Sequence, residues 1–200
     1  MRVREQKKQE KLERIRAAAL ELFSRQGYEA TTMRKVASEA GVALGTLSLY
    51  ATDKRDLSLL AFNEHISGLL EKAEEEAWCL EDGELEQRLT SFFKVFYSDF
   101  EKNIILARIF LQLNYQPTGM HGPYYKEMNA RMASALEKII DAARSNGEIS
   151  CAEPNDLIGR KFFFVFSGAV RWWIAEPKPI LQVGIDELRA LFRIQIRGLK

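Results

Sequence analysis

Cysteine and histidine are scarce: Cys79, Cys151, His65 and His121 are the only ones in 200 residues. The two cysteines lie far apart and form no CxxC pattern, which excludes a disulfide scaffold and a zinc knuckle and favours small apolar side chains instead. Neither histidine has a neighbouring ligand-type residue at metal spacing, so no metal site is expected. The five prolines fall mainly between apolar-periodic stretches, and no convincing strand alternation appears anywhere. No segment approaches eighteen uninterrupted apolar residues, and the chain starts with charge instead of an apolar leader core. A membrane span and a secretory peptide are therefore not expected, and a cytoplasmic location is. No Ser/His/Asp set, Cys/His set or pair of carboxylates stands out, so neither an enzyme nor a cofactor is expected.

What is present is ordinary for a folded chain: 46% hydrophobic and 28% charged residues, enough to bury a sizeable core. The formal charge of +1 hides an asymmetry, because residues 1–55 carry +5 and residues 56–200 carry −4. Basic charge gathered at one end is the footprint of a head that meets a polyanion, on a body with another role.

The stretch Thr31–Lys54 organises that head. Met33, Val36, Ala37 and Ala40 have the spacing of one buried helix face, with Thr31 or Thr32 able to cap its start. Gly41 supplies a left-handed stop, Val42 plugs the turn, and a second short helix is predicted from about Ala43 to Tyr50. Two short helices about a glycine turn read as a helix-turn-helix. Ahead of them, Leu12, Ile15, Ala19, Leu22 and Phe23 repeat as the face of a third helix closed by Gln26-Gly27. The basic residues of positions 1–11 are either an arm for phosphates or a solvated helix extension.

Arg14, Ile15, Ala18, Phe23, Gly27, Tyr28, Thr31, Val36, Ala37, Ala40, Gly41, Val42, Gly45, Thr46, Leu47, Tyr50 and Lys54 together resemble the N-terminal signature of the TetR family of bacterial transcriptional regulators (TetR/AcrR type). The resemblance covers roughly the first quarter of the chain. It implies a DNA-binding head at residues 1–55, with base and phosphate contacts from Thr32, Arg34, Ala43, Leu44, Gly45, Thr46, Ser48, Leu49, Tyr50 and Lys54. Within it, Arg34 is the candidate for bidentate guanine contact, and Ala43 to Thr46 face base edges. Three residues depart from the family pattern. Ser48 stands where an aromatic is usual, Ala51 where phenylalanine is usual, and Ala43 where serine would cap the helix, a cap worth about 1 kcal/mol.

Beyond the head, Asp53 is a good N-cap and Asp56, three residues on, suggests a capping box. A long amphipathic helix follows to about Glu81, with Asp82-Gly83 as its stop. Further helices are predicted from Leu85 to Phe100, Ile104 to Leu113, Tyr124 to Ala143, Pro154 to Ala175 and Leu181 to Phe192, with Tyr115–Pro123 as a loop. The expected fold is all-α, about nine helices: a three-helix DNA-binding domain and, over residues 56–200, a helical ligand-binding and dimerisation domain. Phe92, Phe93, Phe96, Tyr97, Phe110, Tyr115, Phe163, Phe164 and Trp172 are candidates to line an effector pocket between helices, although aromatics at helical spacing are more often plain core. By the same resemblance, the last two helices form a homodimer interface.

The expected function is a ligand-responsive regulator. Most simply it is a repressor that leaves a pseudo-palindromic operator in double-stranded DNA when a small apolar or aromatic effector binds. A helical binding module or enzyme with a vestigial head, and a non-specific DNA-binding protein, are the other readings the sequence leaves open.

Overall fold

Every regular element among the described residues is a helix. The computed structural model describes residues 2–79, 83–113 and 118–199. Its helices are α1 (Arg2–Ala30), α2 (Met33–Glu39), α3 (Leu44–Leu47), α4 (Lys54–Trp78), α5 (Leu85–Lys102), α6 (Ile104–Leu113), α7 (Gly122–Ser145), α8 (Asn155–Ala175) and α9 (Leu181–Arg197). The all-α expectation holds. The expected stop of α4 at Asp82 and the pocket candidate Tyr115 lie outside the described residues.

By packing, the chain divides into two compact units: Met1–Ile66 with Asn103–Glu127, and Ser67–Lys102 with Met128–Lys200. In the first, Ile15, Ala19, Leu22 and Phe23 of α1 are buried, as are Val36, Ala37 and Ala40 of the α2 face and Leu47 of α3. Leu12 remains half-buried. Phe62 lies parallel to Phe23 with ring centroids 6.3 Å apart and meets Phe110 of α6 at 5.6 Å. Residues 56–63 of α4 are buried on every side, because α1, α2–α3 and α6 all belong to the same small unit. Each large apolar side chain removed from water there contributes about 1.5–3 kcal/mol.

Breaks in the helices fall at glycines. Gly27 has φ 81° and ψ 170°, which ends the regular part of α1; the Thr31 hydroxyl then donates to the Gly27 carbonyl at 2.8 Å. Gly41, at φ 63°, closes α2 in a Schellman turn. There Val42 N–H reaches Ala37 O at 2.9 Å and Gly41 N–H reaches Ser38 O at 3.1 Å.

The second unit is built on aromatic packing. Phe93 stacks on Phe166 at 4.3 Å, Phe162 meets Phe192 edge-on at 5.3 Å, and Tyr97 sits 4.8 Å from Trp173. α9 packs against both α5 and α8, and Gly184 makes that approach possible. A Cβ there would come within 2.6 Å of Trp173 Cδ1 and 2.8 Å of Tyr97 Cε1. Arg144 fastens the α7–α8 connection by donating to Asn155 Oδ1 at 2.8 Å and to the carbonyls of Cys151 and Glu153 at 2.5 and 2.8 Å. Glu86 holds Arg189 and Arg193 of α9, each at 3.0 Å.

Candidate nucleic-acid interface

The helix-turn-helix presents one exposed surface on a buried frame. Thr32 caps α2 by accepting from Lys35 N–H at 3.3 Å, while Val36 and Ala37 point inward. That leaves Arg34 exposed, with no carboxylate paired to it among the described residues. α3 covers Leu44–Leu47 only, shorter than the predicted Ala43–Tyr50. Bonds from Ser48 N–H to Leu44 O, Tyr50 N–H to Leu47 O and Ala51 N–H to Leu47 O carry the coil on as turns. Leu47 and Ala51 are fully buried. Ala43, Leu44, Gly45, Ser48 and Leu49 are exposed, and Thr46 and Tyr50 half-buried.

The family departures have visible consequences. Ala43 gives α3 no side-chain cap. The Ser48 hydroxyl donates back to Leu44 O at 3.1 Å, so in the free protein it is occupied within its own helix. Leu49 is 74% exposed, a high value for a leucine.

Lys54 is more engaged than an open phosphate ligand. Its Nζ donates to Tyr28 O at 3.0 Å and Glu29 O at 3.4 Å, and stands 4.2 Å over the Tyr28 ring. It therefore ties the start of α4 to the end of α1. Burial, with the negative charges of Asp53 and Glu29 next, pushes the Tyr28 phenol pKa up despite Arg55 nearby, so the ring stays neutral under that cation.

The α4 start departs from a simple capping box. Asp53 caps it, accepting from Asp56 N–H at 2.8 Å, but Asp56 does not reach back to Asp53. Its Oδ2 accepts from Thr52 N–H at 2.9 Å and the Thr52 hydroxyl at 3.1 Å, and its Oδ1 accepts from His121 N–H at 2.9 Å. Burial alone would raise the Asp56 pKa. Hydrogen bonds from the backbone of Thr52, His121 and Met120, and from the Thr52 side chain, outweigh it and hold the carboxyl below its ordinary value. The His121 ring in turn donates from Nε2 to Tyr50 O at 2.7 Å, and Asn63 Nδ2 donates to His121 O at 3.2 Å. Gly119, at φ 83°, lets this loop approach, since a Cβ there would fall 2.5 Å from Asp56 Cγ. A loop following α6 is thus pinned to the end of the reading segment. Asp56, Gly119 and His121 were not among the expected site residues, and no local pattern links positions so far apart.

The pocket candidates scatter. Phe92, Phe93, Phe96 and Tyr97 are buried in the aromatic interior of the second unit. Phe110 belongs to the first unit, beside Phe62. Phe163 is half-buried, whereas Phe164 and Trp172 are 66% and 71% exposed on the outer side of α8. The neighbour, Trp173, turns inward and donates to Ile180 O at 2.9 Å. Adjacent residues on a helix point about 100° apart, which separates the two indoles.

Residues 15–60 match the family model described as bacterial regulatory proteins, tetR family. The chain belongs to the tetR family. A curated relative, the fatty acid metabolism regulator protein of Bacillus subtilis (strain 168), is 36% identical over 69 residues, and that match spans only 34% of this chain and 36% of the relative. Solved structures carry the likeness over the remaining length. The FadR transcriptional regulator of Bacillus subtilis, in complex with stearoyl-CoA, superposes with TM-score 0.74 at 21% identity, covering 94% of this chain and 98% of that one. The TetR-family repressor FadR of Thermus thermophilus, in complex with lauroyl-CoA, gives 0.69 at 21%, covering 94% and 95%. At such identities the two structures establish a tetR-family fold for the whole chain.

Proposed function

We propose that this tetR-family protein is a ligand-responsive transcriptional repressor acting as a homodimer on a pseudo-palindromic operator. The observation that carries this reading is the exposed surface of Arg34, Ala43, Leu44, Gly45, Ser48 and Leu49, held on the buried frame of Val36, Ala37 and Leu47. Arg34 supplies the one charged donor suited to a guanine edge. Leu44, Leu49 and Ala43 offer apolar contact to thymine methyls, and Thr32, Thr46, Ser48, Tyr50 and Lys54 position the backbone. A two-fold pair of such heads reaches successive major grooves about 34 Å apart. Action on a bacterial operator places the protein in the cytoplasm, and none of these roles requires catalysis.

The exposed apolar residues Leu157, Phe164 and Trp172 of α8, with Val183 and Ile194 of α9, support dimerisation through the last two helices. The effector belongs in the second unit, and α4 is the covalent element common to both units. A ligand that favours one arrangement of the dimer weakens operator binding by its differential affinity. Because related structures were solved with stearoyl-CoA and lauroyl-CoA, long-chain acyl-CoA is the first effector class to test.

The test is a mobility shift with DNA from upstream of the protein's own gene, in the presence of random competitor. Specific binding exceeds random DNA by about a thousandfold or more, and Arg34→Ala lowers affinity about tenfold. Added stearoyl-CoA releases the complex. Equal affinity for random DNA sinks the operator reading, and indifference to acyl-CoA removes that effector class.

A further inference from the structure

The first unit holds a cavity of about 650 Å³, within the size range of small-molecule sites. Its apolar walls are Leu12 of α1, Leu49, Leu60 of α4, Met120 and, in α7, Tyr124. Most of its polar groups are already engaged. Arg16 pairs with both Glu13 and Glu64, and Lys8 faces Glu5 at 3.8 Å. The His121 ring is held by Tyr50 O.

Asn63 differs. It is 5% exposed, and donation from its Nδ2 to His121 O fixes which way the amide faces. Its Oδ1 is then buried without a protein partner, and so is Arg16 Nε. One is an acceptor and the other a donor. Buried polar atoms are nearly always satisfied, so two complementary unmet atoms in the lining of one cavity point to a ligand group that serves them. Since Arg16 and Glu64 neutralise one another, that group need carry no charge.

We propose that this cavity binds a neutral amphiphile: an apolar chain against the leucines and Met120, and a hydroxyl or primary carboxamide that donates to Asn63 Oδ1 and accepts from Arg16 Nε. The site lies in the head, apart from the effector region of the second unit. Leu49 and Tyr50 border it, so an occupant and DNA contend for the same segment. That last consequence rests on the operator-binding reading; the binding itself does not.

The experiment uses the full chain and a photoreactive analogue of 1-decanol with a diazirine in its alkyl chain, with labelled peptides mapped by mass spectrometry. Label is expected on peptides containing Leu12, Leu60 and Met120–Tyr124. Free 1-decanol should displace it at least tenfold better than decyl methyl ether, which cannot donate a hydrogen bond. Met120→Trp, at a position 54% exposed, fills the cavity and should cut head labelling at least fivefold while labelling of residues 128–200 is unchanged. Asn63→Leu should abolish the preference for alcohol over ether; if it does not fold, the wild-type comparison and Met120→Trp decide. Label confined to residues 67–102 and 128–200, or equal competition by alcohol and ether in the wild type, overturns the proposal. Operator binding is measured in parallel: head labelling in a protein that ignores operator DNA supports this site and strikes only the regulatory reading.

Discussion

Asp56 concentrates more hydrogen bonds than any apolar contact around it can replace. Its carboxylate accepts from Thr52 and His121, and an amide at that position would turn an N–H toward a backbone N–H on one side. Asp56→Asn should therefore cost about 2 kcal/mol, read as a lower midpoint in urea unfolding. The pH dependence has a definite sign. Because the folded-state pKa lies below the ordinary carboxylate value, Asp56 contributes its stability in full above about pH 4 and loses it as pH falls through the depressed folded value. The Asn variant should show a shallower loss of stability over that acid window, and an unchanged profile would refute the assignment. Tyr97 is the opposite case. Its ring is fully buried, its hydroxyl has no protein partner, and burial, then the charge of Glu187, pushes its pKa well up. Tyr97→Phe removes an unmet donor at almost no change in volume and should raise stability by about 1 kcal/mol; a loss of similar size would mean that the hydroxyl is satisfied in solution.

At the scale of the element, α3 is the weakest part of the head, four residues long and without a side-chain cap. Ala43→Ser should place an oxygen over the free N–H groups of its first turn and stabilise the protein by about 1 kcal/mol, seen as a higher melting temperature. No gain would mean that the Ala43 backbone, at φ −67° and ψ 148°, cannot direct the hydroxyl inward. Much of this element pair was legible in the sequence, because its determinants are local. The apolar spacing of Val36, Ala37 and Ala40, the cap at Thr32 and the turn at Gly41 each act within a few residues. What was not legible depends on long-range closure. The Asp56–His121 link spans a loop whose position follows from how α6 packs on α1, and Phe110 shares the first unit with Phe62 for the same reason. In the second unit, helical periodicity identified the aromatic faces without telling interior from exterior. Phe93 and Phe164 look alike as residues in a pattern, yet one stacks on Phe166 and the other is 66% exposed.

That exterior decides the behaviour of the whole molecule. Leu157, Phe164 and Trp172 recur along α8 at spacings of seven and eight residues, which keeps them on one side of the helix, and Val183 and Ile194 of α9 are exposed as well. Leaving large aromatic and aliphatic side chains in water forgoes the free energy their burial would supply, and contiguous patches of this kind mark protein interfaces. A second copy related by a two-fold axis covers identical patches at once, and the same axis would set the spacing of two heads on DNA. Replacing both Phe164 and Trp172 by glutamate puts four like charges into such an interface per dimer while leaving the stacked core of Phe93, Phe166 and Trp173 untouched. Sedimentation should show the double variant as a monomer with native helix content at concentrations where the wild type is a dimer. Its operator affinity should fall by at least a hundredfold, because one head alone loses the contribution of the second half-site. A dimeric Phe164→Glu, Trp172→Glu protein would show that these side chains lie outside the interface. A monomer that still binds operator at wild-type affinity would show that the heads do not need one another.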